Sequence, residues 1–174
     1  MGISTTKLTW PNILWQPLLS FFYVVAVLYL FSFTRQANLA WAVGVGAIAS
    51  STYLVFGTPS LRSARPRNIL GGYCIAIVCS MVIEMLVSSM GLWCSDFFHC
   101  SSFTVTIFIS SLVIALVLVF MAALRCQHPP AAGLALTLVI DSRDYDLLLF
   151  VSVSVLVLAG IAYMLRNRLR DLVE

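Results

Sequence analysis

A histidine followed by two prolines is the first group in this chain whose residue types could do chemistry. His128, Pro129 and Pro130 stand between two apolar runs. Three small residues follow them: Ala131, Ala132 and Gly133. Prolines are tolerated at a helix start, where their missing N–H has no partner. We therefore expect a helix to begin here with free backbone amides, which suit a small anion. The His128 imidazole beside them titrates near neutral pH and could cap the helix. The alternative is a simple kink with a hydrated histidine.

A second candidate group opens an apolar run in the middle of the chain. Arg67 and Asn68 directly precede this run, and Gly71 and Gly72 follow within its first turn. An arginine at a helix start, beside glycines that permit close backbone approach, could hold an anion. The other arginines of this loop are explained by membrane topology alone. We predict that the four residues bind substrate together with residues 128–133.

Glu84 is an acid well inside an apolar run. A carboxylate in a membrane-spanning segment usually faces the bundle interior and has a partner. It could accept a proton coupled to transport, as could His128. The alternatives are a structural hydrogen bond between helices, or a glutamate close enough to the membrane surface to be hydrated.

The remaining polar groups give no support for a metal or a cofactor. The five cysteines and two histidines show no metal or redox spacing. Cys94 and Cys100 both fall in a predicted outer loop, where an oxidising compartment would permit a disulfide. We expect no cofactor, no metal site and no enzymatic activity, because His128 has no second catalytic partner at a recognisable spacing.

The composition defines the elements that must position these residues. The chain has 174 residues, 61% hydrophobic and 10% charged, with a mean hydropathy of +1.00. Soluble domains carry roughly 25% charged residues, so the chain is a transmembrane protein rather than a soluble or nucleic-acid-binding one. We predict one membrane domain over residues 1–174, with a cytoplasmic N-terminal segment at 1–14 and a basic cytoplasmic tail at 166–174.

Six apolar segments are predicted to be helices, which makes the chain an all-α bundle. The segments are Trp15–Phe33, Ala37–Phe56, Ile69–Gly91, Ser101–Leu124, the short proline-broken Cys126–Ile140, and Leu147–Leu165. The first is too long, and its flank too weakly basic, for a cleaved signal peptide. The second contains a stretch of small residues at 44–51, which suits close helix packing or, alternatively, a pore wall.

The positions of the basic residues favour six crossings over five. With six crossings, eight of the ten basic residues lie on the cytoplasmic side, as the positive-inside rule requires. They are Lys7, Arg62, Arg65, Arg67, Arg125, Arg166, Arg168 and Arg170. In the alternative, the short segment re-enters the membrane and returns, and at most six basic residues lie inside. A short crossing must be completed by irregular backbone that is enclosed by protein.

Three sequence blocks resemble the HPP family of integral membrane proteins, which is named for its His-Pro-Pro motif. They are Val55–Pro59 (VFGTP), Ala64–Gly72 (ARPRNILGG) and His128–Gly133 (HPPAAG), and the resemblance runs from about residue 37 to residue 165. Two positions depart from the usual pattern. Tyr73 stands where many members have histidine; if that histidine shuttles protons in the family, Tyr73 would not do so near pH 7. Ala132 stands where many members have glycine; if that glycine makes room for a ligand, Ala132 narrows the site.

The resemblance implies a transporter or channel for a small inorganic anion, since similar members are implicated in nitrite movement. It implies an integral protein of the bacterial plasma membrane, with the chloroplast envelope as the alternative. A bundle this small is expected to form a homo-oligomer in the lipid bilayer. The rival hypothesis is a membrane scaffold whose cytoplasmic arginines recruit a protein partner or an anionic lipid.

Overall fold

The computed structural model describes residues 14–33, 39–98, 102–140 and 145–172. These residues form six α-helices, and no strand occurs among them. The helices are α1 (Trp15–Phe33), α2 (Leu39–Gly57), α3 (Pro66–Phe98), α4 (Ser102–Ala123), α5 (Pro130–Ile140) and α6 (Tyr145–Leu165), with a 3-10 turn at Arg62–Ala64. The prediction of an all-α membrane bundle is confirmed.

Helix α3 differs most from the sequence prediction. It begins at Pro66, which takes the first helical position that suits proline, and it continues to Phe98, since no proline lies between Gly91 and Phe98. Cys94 therefore lies within a helix and not in a loop, so that part of the prediction was wrong. Cys100 lies outside the described residues, and the proposed disulfide stays a prediction.

The outer surface of the bundle is apolar. Within the described residues, three helices contain apolar windows long enough to cross a membrane, at Trp15–Ser32, Pro66–Ser89 and Tyr145–Leu165. Large apolar side chains on these helices point outward, and Met85 and Met164 are 76% and 81% exposed. Continuous exposed apolar surface of this kind marks contact with lipid rather than water.

The arginines that the structure describes all lie at one end of the bundle, which we call the arginine end. Helices α1, α3 and α5 begin there, and α2, α4 and α6 end there. Three contacts show this: Gln16 Nε2 donates to the Phe56 carbonyl at 2.7 Å, the Leu172 amide donates to the Gly57 carbonyl at 2.8 Å, and Gly71 faces Cys126. Seven arginines lie in the segments that meet at this end: Arg62, Arg65, Arg67, Arg125, Arg166, Arg168 and Arg170.

The short helix α5 lies at the centre of the bundle, packed against α2, α3 and α4. It has 11 residues, about 16 Å of helix, which is half of a bilayer core. Ala131, Leu134, Ala135 and Thr137 are fully buried. Protein thus encloses α5 itself, whereas four of the six residues that precede it are exposed at the arginine end.

Between His128 and the start of α6 the chain passes from one end of the bundle to the other, and α5 lies within this stretch. Helices α2 and α6 run in the same direction, because Trp41 stacks near Phe150 at their starts, with ring centroids 5.4 Å apart, and Leu172 bonds Gly57 past their ends. His128 lies at the arginine end, where it contacts Ser63. A re-entrant segment would return to the end it left, so this course is the one that six crossings require.

Candidate functional site

Helix α4 ends abruptly just before the proline pair. The Arg125 amide bonds the Ala122 carbonyl at 3.2 Å and the Cys126 amide bonds the Met121 carbonyl at 3.0 Å. Arg125 has φ 55, the left-handed conformation that closes a helix with this pair of bonds. The chain therefore turns sharply after α4 and directs His128 back into the bundle.

The His128 side chain is fully buried and hydrogen-bonded through both ring nitrogens. Its Nδ1 lies 2.7 Å from the Ser63 carbonyl oxygen, and its Nε2 lies 2.8 Å from Ser51 Oγ. Ser51 Oγ is also 2.9 Å from the Tyr73 hydroxyl. We call His128, Ser51, Tyr73 and the Ser63 carbonyl the histidine cluster. It joins α2, α3, the turn between them and the segment before α5.

The histidine cluster stays fully hydrogen-bonded in either charge state of the imidazole. Because a carbonyl only accepts, His128 Nδ1 carries a hydrogen in both states. When the ring is neutral, Nε2 accepts from Ser51, and the Tyr73 hydroxyl donates to Ser51. When the ring is protonated, Nε2–H donates to Ser51 Oγ, and the Ser51 hydroxyl donates to the Ala47 carbonyl, 2.9 Å away. Rotation of one hydroxyl therefore accommodates a proton.

Burial favours the neutral form of His128. The residue lies in the segment between α4 and α5, outside both helices. Loss of solvation lowers the pKa of its imidazole below the ordinary value, and the bond to the Ser63 carbonyl partly opposes this. The proton is therefore taken up only when something stabilises the charged ring.

Gly71 and Gly72 let α3 approach the segment before α5. A Cβ on Gly72 would stand 2.7 Å from the His128 Cβ, and one on Gly71 would stand 2.8 Å from Cys126 Sγ. Real Cβ atoms essentially never make contacts this short, so only glycine fits. The structure places both glycines against protein side chains.

The first amides of α5 have partners. The Ala131 amide bonds the His128 carbonyl, and the Ala132 amide bonds the Pro129 carbonyl, both at 3.0 Å. The expectation that these amides are free was therefore wrong, because the turn that starts the helix satisfies them. Pro130 is the first helical residue, as expected, but the His128 side chain does not cap the helix.

The rest of the His-Pro-Pro block is less deeply placed. Pro129 is exposed, whereas Pro130, Ala132 and Gly133 are half-buried. A Cβ on Gly133 would lie 3.6 Å from the Ala47 Cβ of α2, which is ordinary contact. These residues pack α5 against its neighbours.

Arg67 and Asn68 lie in the first turn of α3, at the arginine end. The Arg67 side chain is exposed. The Asn68 side chain is 8% exposed, and no hydrogen bond joins its amide to another described residue. Asn68 precedes Gly72 by one helical turn, and Gly72 faces His128. The structure thus places an exposed cation and a largely buried asparagine about one turn from the histidine cluster.

Glu84 lies apart from the histidine cluster. It is half-buried on α3, eleven residues after Tyr73, or about 16 Å along the helix axis. It shares a helical face with Tyr73 and Ser80, and Ser80 bonds the Ala135 carbonyl of α5 at 3.2 Å. No hydrogen bond or ion pair links Glu84 to another described residue.

The small residues of α2 serve helix packing where they are buried. A Cβ on Gly44 would lie 3.1 Å from the Leu147 side chain of α6, and Ala47 is buried. Gly46, Ala49 and Ser50 are exposed on the other face. Ser51 is the member of this stretch that reaches the histidine cluster.

A family model for the transmembrane region of HPP proteins matches residues 5–172 of this chain. The chain belongs to the HPP family. No curated protein and no solved structure shows a significant match to it. Within this HPP protein, the His-Pro-Pro block and the Arg-Asn-x-x-Gly-Gly block meet at one place, since Gly72 touches His128.

Sequence reasoning missed two members of the histidine cluster in this HPP protein. The sequence assigns Ser51 to a stretch of small residues that suits helix packing or a pore wall, whereas its hydroxyl bonds both His128 and Tyr73. Tyr73 was treated only as a departure from the family pattern, and its ring lies 5.5 Å from the imidazole centroid. Pairs 22 and 77 residues apart in the chain give no local spacing signal, so neither partner could be found without the fold.

Proposed function

We propose that this HPP protein carries a small monovalent inorganic anion across its membrane, with nitrite as the first candidate, and that His128 carries a coupled proton. Membership of the HPP family supports a membrane protein of this kind. Arg67 supports an anionic substrate, because its exposed guanidinium lies about one turn from the histidine cluster and a cation there raises the local concentration of anions. No chemical conversion of the substrate is proposed.

The observation that carries the proposal is the hydrogen bonding of the buried His128. Its ring can gain or lose a proton while Ser63, Ser51 and Tyr73 remain bonded. An anion that arrives beside the ring would stabilise the imidazolium, and the imidazolium would in turn stabilise the anion.

The anion is proposed to enter from the arginine end and to pass between α2, α3 and α5. Arg67 attracts it at the mouth, and the side-chain amide of Asn68, which lacks a hydrogen-bond partner among the described residues, receives it next. The first amides of α5 are already bonded, so the main binding role falls on Arg67, Asn68 and His128. Glu84 would act further along α3, if the proton continues toward the opposite end.

Nitrite uptake into proteoliposomes tests the proposal. We expect wild-type uptake to be lost in His128→Ala and strongly reduced in Arg67→Ala. Arg166→Ala is the matched control, because its exposed guanidinium lies at the same end but 5.0 Å over the Tyr163 ring. Equal uptake by all four proteins, at equal insertion, would refute the proposal.

We further propose a bacterial plasma membrane location and a homo-oligomeric assembly. The lipid-facing apolar surface supports an integral protein, and the chloroplast envelope is the alternative location. Size-exclusion chromatography with light scattering in detergent measures the subunit number, and a monomer in detergent and in nanodiscs would contradict the assembly.

A further inference from the structure

A groove of about 630 Å³ opens at the arginine end, between the start of α1 and the end of α6. Trp15, Leu19 and Leu165 form its apolar part, and Asn167, Arg168 and Arg170 its polar part. It shares no residue with the histidine cluster or with Arg67 and Asn68. We propose that this groove binds the headgroup of an anionic phospholipid.

The two arginines of the groove are available to an external anion. Both Arg168 and Arg170 are exposed, and neither is in an ion pair within the described residues. The adjacent acid, Asp171, accepts a hydrogen bond from the Ser60 amide at 3.0 Å through one carboxylate oxygen. Arginine presents a fork of N–H donors that matches phosphate oxygens.

A glutamine fixes the tail so that these arginines keep their place. Gln16 is 1% exposed; its Nε2 donates to the Arg170 carbonyl at 2.8 Å, and its Oε1 accepts from the Arg170 amide at 3.0 Å. The Arg168 amide bonds the Leu165 carbonyl at 2.7 Å. The backbone that bears both guanidiniums is therefore tied to α1 and α6, and a ligand need not order a free tail.

The position and lining of the groove favour a lipid over a free inorganic anion. Trp15 is the first residue of α1 and Leu165 the last of α6, so the groove lies where membrane helices meet the headgroup layer. Tryptophan and arginine are typical of that layer, and basic pockets between helices on the cytoplasmic side bind lipid headgroups. The apolar part would contact the glycerol and upper acyl carbons, which a free ion lacks.

Native mass spectrometry of the detergent-purified full chain, titrated with phosphatidylglycerol or phosphatidylcholine, tests this inference. We expect phosphatidylglycerol to bind more tightly than phosphatidylcholine. Changing Arg168→Gln and Arg170→Gln together should weaken phosphatidylglycerol about thirtyfold, since each basic residue near an anionic surface contributes roughly fivefold. Changing Arg65→Gln and Arg166→Gln together is the control, because this pair removes the same two charges from exposed arginines outside the groove.

Three results would overturn the inference. They are equal affinity for the two lipids, equal loss of affinity in the control pair and in the double variant of the groove, and displacement of the lipid by inorganic phosphate at the same concentration. If the double variant melts at a lower temperature, a salt titration of the wild type replaces it: phosphatidylglycerol affinity must fall with ionic strength, and a constant affinity would contradict a charged site. A loss of nitrite transport leaves this result unaffected, so the two proposals fail separately.

Discussion

The contact between Gly72 and His128 sets how closely α3 approaches the histidine cluster, and Gly72→Ala tests its importance. An alanine Cβ would stand 2.7 Å from the His128 Cβ, whereas unstrained carbon contacts need about 3.5 Å, so His128 must retreat by about 0.8 Å. This movement stretches its bonds of 2.7 and 2.8 Å toward the limit of about 3.5 Å at which they are lost.

The energetic cost follows from those bonds. Losing one buried hydrogen bond costs about 1–3 kcal/mol, while alanine in a helix interior gains about 1 kcal/mol over glycine. We therefore expect the unfolding free energy to fall by up to about 2 kcal/mol relative to the wild type. Relative to an alanine variant that makes no such contact it should fall by about 1–3 kcal/mol, which corresponds to a melting temperature lower by roughly 2–12 °C.

Thermal melting of the purified protein in detergent measures the effect. Gly46→Ala is the matched control, because nothing lies within 4 Å of its added Cβ, and it should be as stable as the wild type or more so. If Gly72→Ala melted at the same temperature as Gly46→Ala, the close approach would have no structural consequence and the reasoning would be wrong.

Three further predictions concern the cluster and the tail. Ser51→Ala should destabilise the protein by about 1–3 kcal/mol and reduce nitrite uptake, because His128 loses its Nε2 partner. Ser50→Ala is the control, since the exposed Ser50 hydroxyl bonds only its own helix; it should leave melting and uptake unchanged, and equal effects of the two changes would contradict the prediction. Acidification from pH 7.5 to 5.5 should lower the unfolding free energy of the wild type, because the pKa of His128 is lowered in the folded protein and the unfolded chain binds the proton first. Chemical denaturation at several pH values should show that the unfolding free energy of His128→Asn depends less on pH, and an unchanged dependence would refute the role of His128. Gln16→Leu should release the tail at Arg170, because it removes both hydrogen bonds between the two residues. Trypsin should then cleave faster at the tail arginines, and a wild-type cleavage rate would show that these bonds do not hold the tail.

The course of the chain could be predicted from its sequence because prolines and apolar length act locally. The segment Trp15–Phe33 was predicted with the bounds that α1 has, and Pro130 begins α5 because proline suits only the first turn. Helix α3 was predicted too short, since Gly91 was taken as a break. Glycine weakens a helix without ending it, so its position alone could not fix that boundary.

The interior of the site could not be predicted to the same extent. The sequence showed that a helix must begin after His128, and from this the free amides at its start were inferred. It could not show that the turn itself bonds the Ala131 and Ala132 amides. Nor could it show that His128 reaches Ser63 and Ser51, because those contacts depend on where α2 and α3 lie in the bundle. The proposed chemistry therefore relies on a buried imidazole and not on bare backbone.

Coupled movement of a proton and an anion through His128 is the central claim, and the pH inside proteoliposomes tests it most directly. Nitrite is added outside at a clamped membrane potential, and a trapped pH dye and nitrite content are recorded together, with protein-free vesicles to measure the passive leak of nitrous acid. We predict that wild-type vesicles acidify in step with nitrite entry and that His128→Asn vesicles do neither above the leak. Nitrite entry without acidification in the wild type, or equal acidification in His128→Asn at equal insertion, would contradict the claim.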